Sequence, residues 1–205
     1  MSSLSGKTAA VFGASGEFGA SAALALAGEG AALVLGGQDR RSLKALQEKI
    51  ERRNGRAAVV GVHPAKRHHP AHLIETARET FGKLDIVLSA VETPSASLSS
   101  LDLASWERAV DAGLKGFLYV LAAALPAMSE GGAVVCLSRS DPDPVTAAVQ
   151  DARRTLLRAL AREPDRGIAA IELVLKNRAT PEGCAEEVLS ALLGGRGTFS
   201  TRTVG

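Results

Sequence analysis

The stretch from Thr8 to Leu35, TAAVFGASGEFGASAALALAGEGAALVL, limits the possible folds more than any other part of the chain. A short apolar run, Ala9 to Phe12, reads as a buried strand. Gly13, Gly16 and Gly19 follow at three-residue spacing. An alanine-rich segment of high helix propensity then ends at Gly28 and Gly30. A second apolar run, Ala31 to Leu35, reads as the next strand. Strand, turn, helix and strand together have the length of one βαβ crossover.

Each glycine has a physical task in such a unit. Gly13 lets the chain turn sharply off the strand. Gly16 has no Cβ, so a pyrophosphate can approach the backbone, and Gly19 lets the helix pack close to the sheet. Free N–H groups and the helix dipole then favour an anion. A tight turn without a ligand would use the same glycines. Glu17 would repel an anion unless its side chain points to solvent.

Of the 205 residues, 46% are hydrophobic, and the formal net charge is +2. That suits one soluble globular domain, residues 1–205, with a sizeable core. Lysines and arginines are scattered, without a basic stripe interleaved with aromatics, so neither nucleic acid nor a membrane surface is implied. The two cysteines, Cys136 and Cys184, read as unpaired apolar residues of a reducing cytoplasm. No uninterrupted apolar run reaches membrane-spanning length, and MSSLSGK is not a signal peptide.

Further along, Arg40 to Arg53 carries Leu43, Leu46 and Ile50 on one face and predicts a surface helix stopped by Asn54-Gly55. Ala57 to Val62 is a third strand. His63 to Pro70 is a loop, Pro70 opens a helix to about Phe81, and Leu84 to Ala90 is a fourth strand. The polar segment Glu92 to Ser100 crosses the top of the sheet. Asp102 to Met128 forms one or two helices, the second half buried between subunits or in the core. Gly131-Gly132 turns into a fifth strand, Ala133 to Leu137. Asp141 to Pro144 is a turn, Val145 to Arg162 a helix, and Ile168 to Leu175 a sixth strand. Thr180 caps a helix to about Leu193, and Gly194 to Thr203 returns as an edge strand. The alternation predicts an α/β fold: a Rossmann-like, doubly wound parallel sheet of about seven strands with helices on both faces.

With these segments in order, the chain resembles the short-chain dehydrogenase/reductase family over essentially its whole length. GASGEFG stands at the glycine-rich turn, with spacing nearer that of the extended branch. FGKLDIVLSA is similar to the fourth strand, LASWERAVDAGLKGFLYVLAAALPAM to the dimer-forming helices, GGAVVCLS to the fifth strand and RGIAAIELVL to the sixth. The resemblance implies a nicotinamide cofactor held at Gly13, Ser15, Gly16, Phe18, Gly19, Gly37, Gln38, Arg40, His63, Ala90 and Thr180. NAD-preferring members place an acid after the second strand. Here Gly36, Gly37 and Gln38 stand there, with Arg40 and Arg41 nearby, which favours NADP(H) over NAD(H). Arg40 and Arg41 read equally as a solvated helix start, and Thr180 equally as a helix cap.

The family reduces carbonyls with a Tyr acid, a Lys four residues later, a Ser and an Asn. By position the Tyr and Lys fall on Thr146 and Gln150, the Asn on Gly113, and the Ser on or beside Arg139, flanked by Ser138 and Ser140. The only tyrosine is Tyr119, within the apolar helix. Thr and Gln do not titrate near neutral pH, and losing positioned acid–base help costs a factor of about 10²–10⁴. Ser89-Ala90-Val91-Glu92 replaces the family's Asn-Asn-Ala-Gly, Leu175-Lys176 its Pro-Gly, and the substrate lid is missing before Thr180. His68 and His72 have metal-ligand spacing, but Pro70 intervenes and a solvated loop reads better, so no metal is expected. Glu92, Arg139 and Lys176 could converge at the pocket mouth around an anion.

The expected function is therefore an NADP(H)-binding protein without ordinary carbonyl reductase activity, acting as a binding or partner subunit. It would be a homodimer or homotetramer, or pair with an active relative, through Phe117, Tyr119, Leu121 and the helix from Val145. The alternative is an oxidoreductase with an iminium or pterin-type acceptor, which needs no acid. The first sixty residues are also similar to NADP-dependent methylene-tetrahydromethanopterin dehydrogenases. A non-redox enzyme is a third reading.

Overall fold

The computed structural model describes residues 3–95, 102–140, 142–163, 167–194 and 199–205. Parts of the expected crossing segment (96–100), of the Pro/Asp turn (Asp141) and of the approach to the last strand (195–198) lie outside the described residues. Seven strands form one sheet: β1 (Thr8–Phe12), β2 (Ala32–Gly37), β3 (Arg56–Gly61), β4 (Leu84–Ser89), β5 (Met128–Arg139), β6 (Ala169–Leu175) and β7 (Phe199–Val204). Their order is β3-β2-β1-β4-β5-β6-β7, and every neighbouring pair is parallel. The expected doubly wound sheet is what the chain forms.

Residue alternation along each strand divides the core in two. Val11, Leu33, Leu35, Leu88, Val135 and Leu173 face α1 (Glu17–Gly28), α2 (Arg40–Glu51) and α7 (Pro181–Leu193). Phe12, Val34, Val87, Val134, Cys136 and Ala170 face α3 (His68–Phe81), α5 (Gly116–Ala124) and α6 (Pro144–Leu160). Both faces are covered, which is why the central strands read as continuous apolar runs. At the foot of the sheet the buried Asp85 carboxylate accepts from the Lys7 ammonium and the Thr8 N–H, each at 2.9 Å.

Two boundaries depart from the sequence reading. Helix α3 begins at His68, so His68 and His72 are both helical and Pro70 sits in the first turn, where its missing N–H has no intrahelical acceptor to lose. Strand β5 begins at Met128, ahead of the expected Ala133. Gly131, at φ 68°, is accommodated where the pairing with β4 shifts register. The segment before it is continuous but not uniform: α4 (Leu103–Ala109), a π-helical turn (Val110–Lys115), α5 and a final 3₁₀ turn (Leu125–Ala127).

This continuous Leu103–Ala127 run has the length and mean apolarity of a membrane-spanning helix, although Glu107, Arg108, Asp111 and Lys115 interrupt it, as the sequence reading expects. Its apolar residues Phe117, Val120, Leu121 and Ala124 are nevertheless buried against the sheet and α3. Phe117 and Leu121, expected at a subunit contact, are therefore core residues. Leu103, Trp106 and Leu118 remain exposed.

Candidate functional site

Strand order reverses between β1 and β4, and a crevice opens above their carboxyl ends, as such sheets require. Gly13 turns the chain off β1 at φ 81°. A Cβ there would stand 2.4 Å from the Ala90 carbonyl oxygen, so β4 crowds the turn from the other side. Gly19 packs the first turn of α1 onto the same loop, where a Cβ would come within 2.3 Å of the Gly13 oxygen. Gly16 differs. A Cβ on it would meet only the Gly13 oxygen, at 3.5 Å, so nothing in the chain fills the space above it.

Gly16 is the N-cap of α1 and offers no side-chain cap. Among the described residues no acceptor takes the N–H of Glu17, Phe18 or Gly19. Three donors and the positive end of a 12-residue helix thus face an open space, the arrangement that suits an anion. The Glu17 side chain is solvent-exposed.

Two adjoining cavities share this turn. The first, about 280 Å³, is lined by Gly13, Ser15, Gly16, Gly37, Gln38, Val62, Pro64, Ser89, Ala90 and the Gly113–Phe117 side of the helical run. Its floor is apolar. The Ser15 hydroxyl lies against Gly37, where a Cβ would be 2.6 Å away. Asp39 is exposed and caps α2, accepting from the Ser42 hydroxyl at 2.6 Å and Arg41 N–H at 2.9 Å, bonds that hold its carboxyl below its ordinary range. The Arg40 stem runs along Gly61, the β3 partner of Gly37.

The second cavity, about 430 Å³, lies between the same turn and α6. Ser138, Arg139, Thr146, Gln150, Arg153, Thr93, Lys176 and Ala179 line it. Here the resemblance places the reactive groups, and the Thr146, Gln150 and Ser138 side chains are each engaged elsewhere. The Thr146 hydroxyl donates to Asp143 Oδ2 at 2.6 Å, and Asp143 also caps α6 through the Val145 and Thr146 N–H groups. With its amide assigned so that oxygen and nitrogen are both satisfied, Gln150 brackets the Arg139 backbone: the amide nitrogen donates to the Arg139 carbonyl and the oxygen accepts from the Arg139 N–H, both at 3.0 Å. Ser138 donates to the buried Glu172 carboxylate at 2.9 Å, and Arg154 closes the same carboxylate with bonds of 2.6 and 3.2 Å.

Gly113 falls in the π-helical turn, a feature that widens a helix and recurs at functional sites. A Cβ at Gly113 would lie 2.6 Å from a Val149 methyl and 2.7 Å from Thr93 Oγ1. Thr93 and Val149 therefore occupy the volume an Asn side chain would need. Thr93 Oγ1 is buried without a partner.

Of the other expected contacts, Ser15, Phe18, Gln38 and Ala90 line one or both cavities. Arg40, His63 and Thr180 line neither. His63 is exposed and donates its backbone N–H to His69 Nδ1 at 2.9 Å, while its neighbours Val62 and Pro64 face the cavity. Thr180 Oγ1 caps α7, accepting from Gly183 N–H at 3.1 Å. Among the described residues no group of three or more His, Cys, Asp or Glu is placed to hold a metal. Glu92, Arg139 and Lys176 do line one cavity together.

Arg153 was not singled out by the sequence. It is 2% exposed and lines the second cavity. The signal was periodic: Thr146, Gln150 and Arg153 fall at i, i+4 and i+7 on the face of α6 that also carries Val149 and Leu157. Burial raises the Cys136 thiol above its ordinary range, with the Arg153 charge pulling it back and Glu172 pushing it up.

A seven-stranded parallel sheet of this order, with a glycine turn and twin cavities at its switch point, defines a Rossmann-type α/β protein. The family profile described as enoyl-(acyl carrier protein) reductase matches residues 13–167. The chain belongs to the short-chain dehydrogenase/reductase family. It is 36% identical over 132 residues to an uncharacterised oxidoreductase of Staphylococcus saprophyticus subsp. saprophyticus, covering 62% of this chain and 56% of that one. The match spans about half the length of the curated relatives. A dehydrogenase/reductase from Sinorhizobium meliloti 1021 superposes with TM-score 0.89 at 23% identity, over 98% of this chain and 94% of that one. A short-chain dehydrogenase from Burkholderia cenocepacia J2315 in complex with NADP does so with TM-score 0.89 at 22% identity, over 98% and 97%.

Proposed function

We propose that this chain binds NADP(H) in preference to NAD(H), lacks ordinary carbonyl and alcohol oxidoreductase activity, and acts as a binding or partner subunit. The binding half is supported by the open space above Gly16 beside three unpaired N–H groups. A pyrophosphate fits that cradle. The N–H groups of Glu17, Phe18 and Gly19 would hold it, and Gly37 and Gln38 would face the adenosine ribose. Arg40 and Arg41 outnumber the Asp39 carboxylate, which keeps its charge as a cap, and the cationic edge suits a 2′-phosphate. When bound, the nicotinamide supplies a hydride donor or acceptor. The NADP complex of the Burkholderia protein supports the choice of ligand class.

The catalytic half is carried by one observation: Thr146 and Gln150 both hold the β5–α6 loop in place. Neither titrates near neutral pH. A cationic iminium acceptor is disfavoured by the buried Arg153 guanidinium in the same cavity. Self-association, or pairing with an active relative, would use the face carrying the exposed Leu103, Trp106 and Leu118.

The test is a calorimetric titration with NADP(H) and NAD(H), with turnover of simple ketones and alcohols measured on the same protein. Tighter binding of NADP(H) without turnover is the expected result. Absence of dinucleotide binding removes the first half, and turnover at family-typical rates removes the second. A monomeric mass by light scattering at micromolar concentration, alone and with an active relative, removes the subunit role.

A further inference from the structure

Arg153 lies at the buried side of the second cavity without an ion-pair partner among the described residues. Its Nε has no hydrogen-bond partner, and its one bond, from a terminal nitrogen to the Leu137 carbonyl, is long at 3.4 Å. None of the ion pairs among the described residues includes it. The nearby buried carboxylate of Glu172 is closed by Ser138 and Arg154 instead, and Arg154 also pairs with Asp151. A buried, unpaired guanidinium is strongly unfavourable unless an anion joins it. The cavity gives an anion a route to it. Arg139 and Lys176, both exposed, line the same space, as do the exposed Glu17 and Glu92.

We propose that this cavity binds a small carboxylate-bearing molecule whose carboxylate pairs with the Arg153 guanidinium. The planar fork of a guanidinium matches the two oxygens of a carboxylate. A carboxylate would pair with the one buried guanidinium here that no ion pair among the described residues engages. A phosphate dianion would leave surplus negative charge close to Glu172. Ser138, Thr146 and Gln150 are engaged with their own partners, so Arg153 and the Thr93 hydroxyl are the buried donors in this wall with unused capacity, and of the two only Arg153 is charged. The proposal goes beyond the dinucleotide reading and needs only the cavity.

The experiment uses the full chain, with and without NADPH, and follows thermal shift and calorimetric affinity. The probes are pyruvate and benzoate, their neutral counterparts lactamide and benzamide, and inorganic phosphate. The expected result is that a carboxylate binds and its amide does not. In R153M the carboxylate affinity falls roughly 10- to 100-fold, the loss of a charge-assisted pair. R153K, which keeps the charge and loses the fork, falls between. Without ligand, R153M melts no lower than the wild type, because a purely structural arginine would show a loss there. If R153M does not fold, carboxylate against amide on the wild type still decides. Equal binding of acids and amides overturns the proposal, as does binding of phosphate alone, unchanged carboxylate affinity in R153M, or no binding by any probe. NADPH is titrated separately, so carboxylate binding without NADPH binding would remove the dinucleotide reading and leave this one standing.

Discussion

Thr146 donates its hydroxyl to Asp143 Oδ2 at 2.6 Å, across the first turn of α6. The residue at the family's acid position is thereby part of a helix cap. Asp143 also receives the Ser95 hydroxyl at 2.8 Å, which ties the loop after β4 to the start of α6 at the rim of the crevice. Replacing Asp143 with Ala removes the cap, and the expected loss is about 1–2 kcal/mol of stability. Urea unfolding of D143A against the wild type checks it.

The three turn glycines should separate by mechanism. Gly13→Ala puts a side chain at φ 81° and 2.4 Å from the Ala90 oxygen, and Gly19→Ala drives one to 2.3 Å from the Gly13 oxygen. Both should lose about 1–3 kcal/mol or more through overpacking and strain. Gly16→Ala meets nothing closer than 3.5 Å and should lose less than about 1 kcal/mol, while a pyrophosphate loses its close approach to the backbone. The measurement is unfolding stability beside NADP(H) affinity. A Gly16→Ala variant that binds as the wild type would sink the cradle.

Gly113→Ala tests whether the space of a lost side chain has been refilled. Its Cβ would meet Val149 and Thr93, both β-branched and stiff at χ1, so they cannot swing aside. A loss of about 1–3 kcal/mol is expected. Adding Thr93→Ala should recover part of it, because the Thr93 methyl and its unpartnered hydroxyl both leave. A double-mutant cycle measures this coupling.

Acid should loosen the start of α3. Burial, then the neighbouring His68 and His63, lowers the His69 pKa from its ordinary 6.5, and Nδ1 must stay unprotonated to accept from His63 N–H. The folded state therefore binds its proton at lower pH than the unfolded state does. The resulting stability is present above the unfolded value and is lost as pH falls through the folded one. The stability gap between wild type and His69→Ala should shrink from about pH 7.5 to about pH 5. Denaturant titrations at the two pH values, with an NMR titration of His69, decide it.

Both thiols should be inert in the native protein. Burial alone pushes Cys184 up to about 11, and Cys136 is raised as well. A chromogenic disulfide reagent at neutral pH should label neither until the chain is unfolded, because the thiolate is the reacting form. Rapid labelling of the folded protein would show that the β5 or α7 packing opens readily.

Periodicity carried most of the architecture. Runs such as Leu84–Ser89 and Ala169–Leu175 are buried strands because helices cover both faces of the sheet, and the amphipathic Arg40–Glu51 helix is legible for the complementary reason. In the sequence Phe117 and Leu121 read as contact residues because a helix apolar nearly all round does not announce which side meets the sheet. The His68 start of α3 was hidden by Pro70, whose placement in a first turn depends on the chain arriving at the right angle.

The doubly wound sheet, the glycine turn at its switch point, and the residue types at Thr146 and Gln150 are legible in the order of residues alone. These follow from spacing and local conformational limits, which need no knowledge of distant neighbours. Tertiary structure decided which polar groups are satisfied. Only in three dimensions do Asp143, Arg139 and Glu172 take up the side chains of Thr146, Gln150 and Ser138, and leave Arg153 facing a cavity alone. Hydrogen bonding is a short-range competition among groups distant in sequence, so its outcome is set by packing and not by pattern.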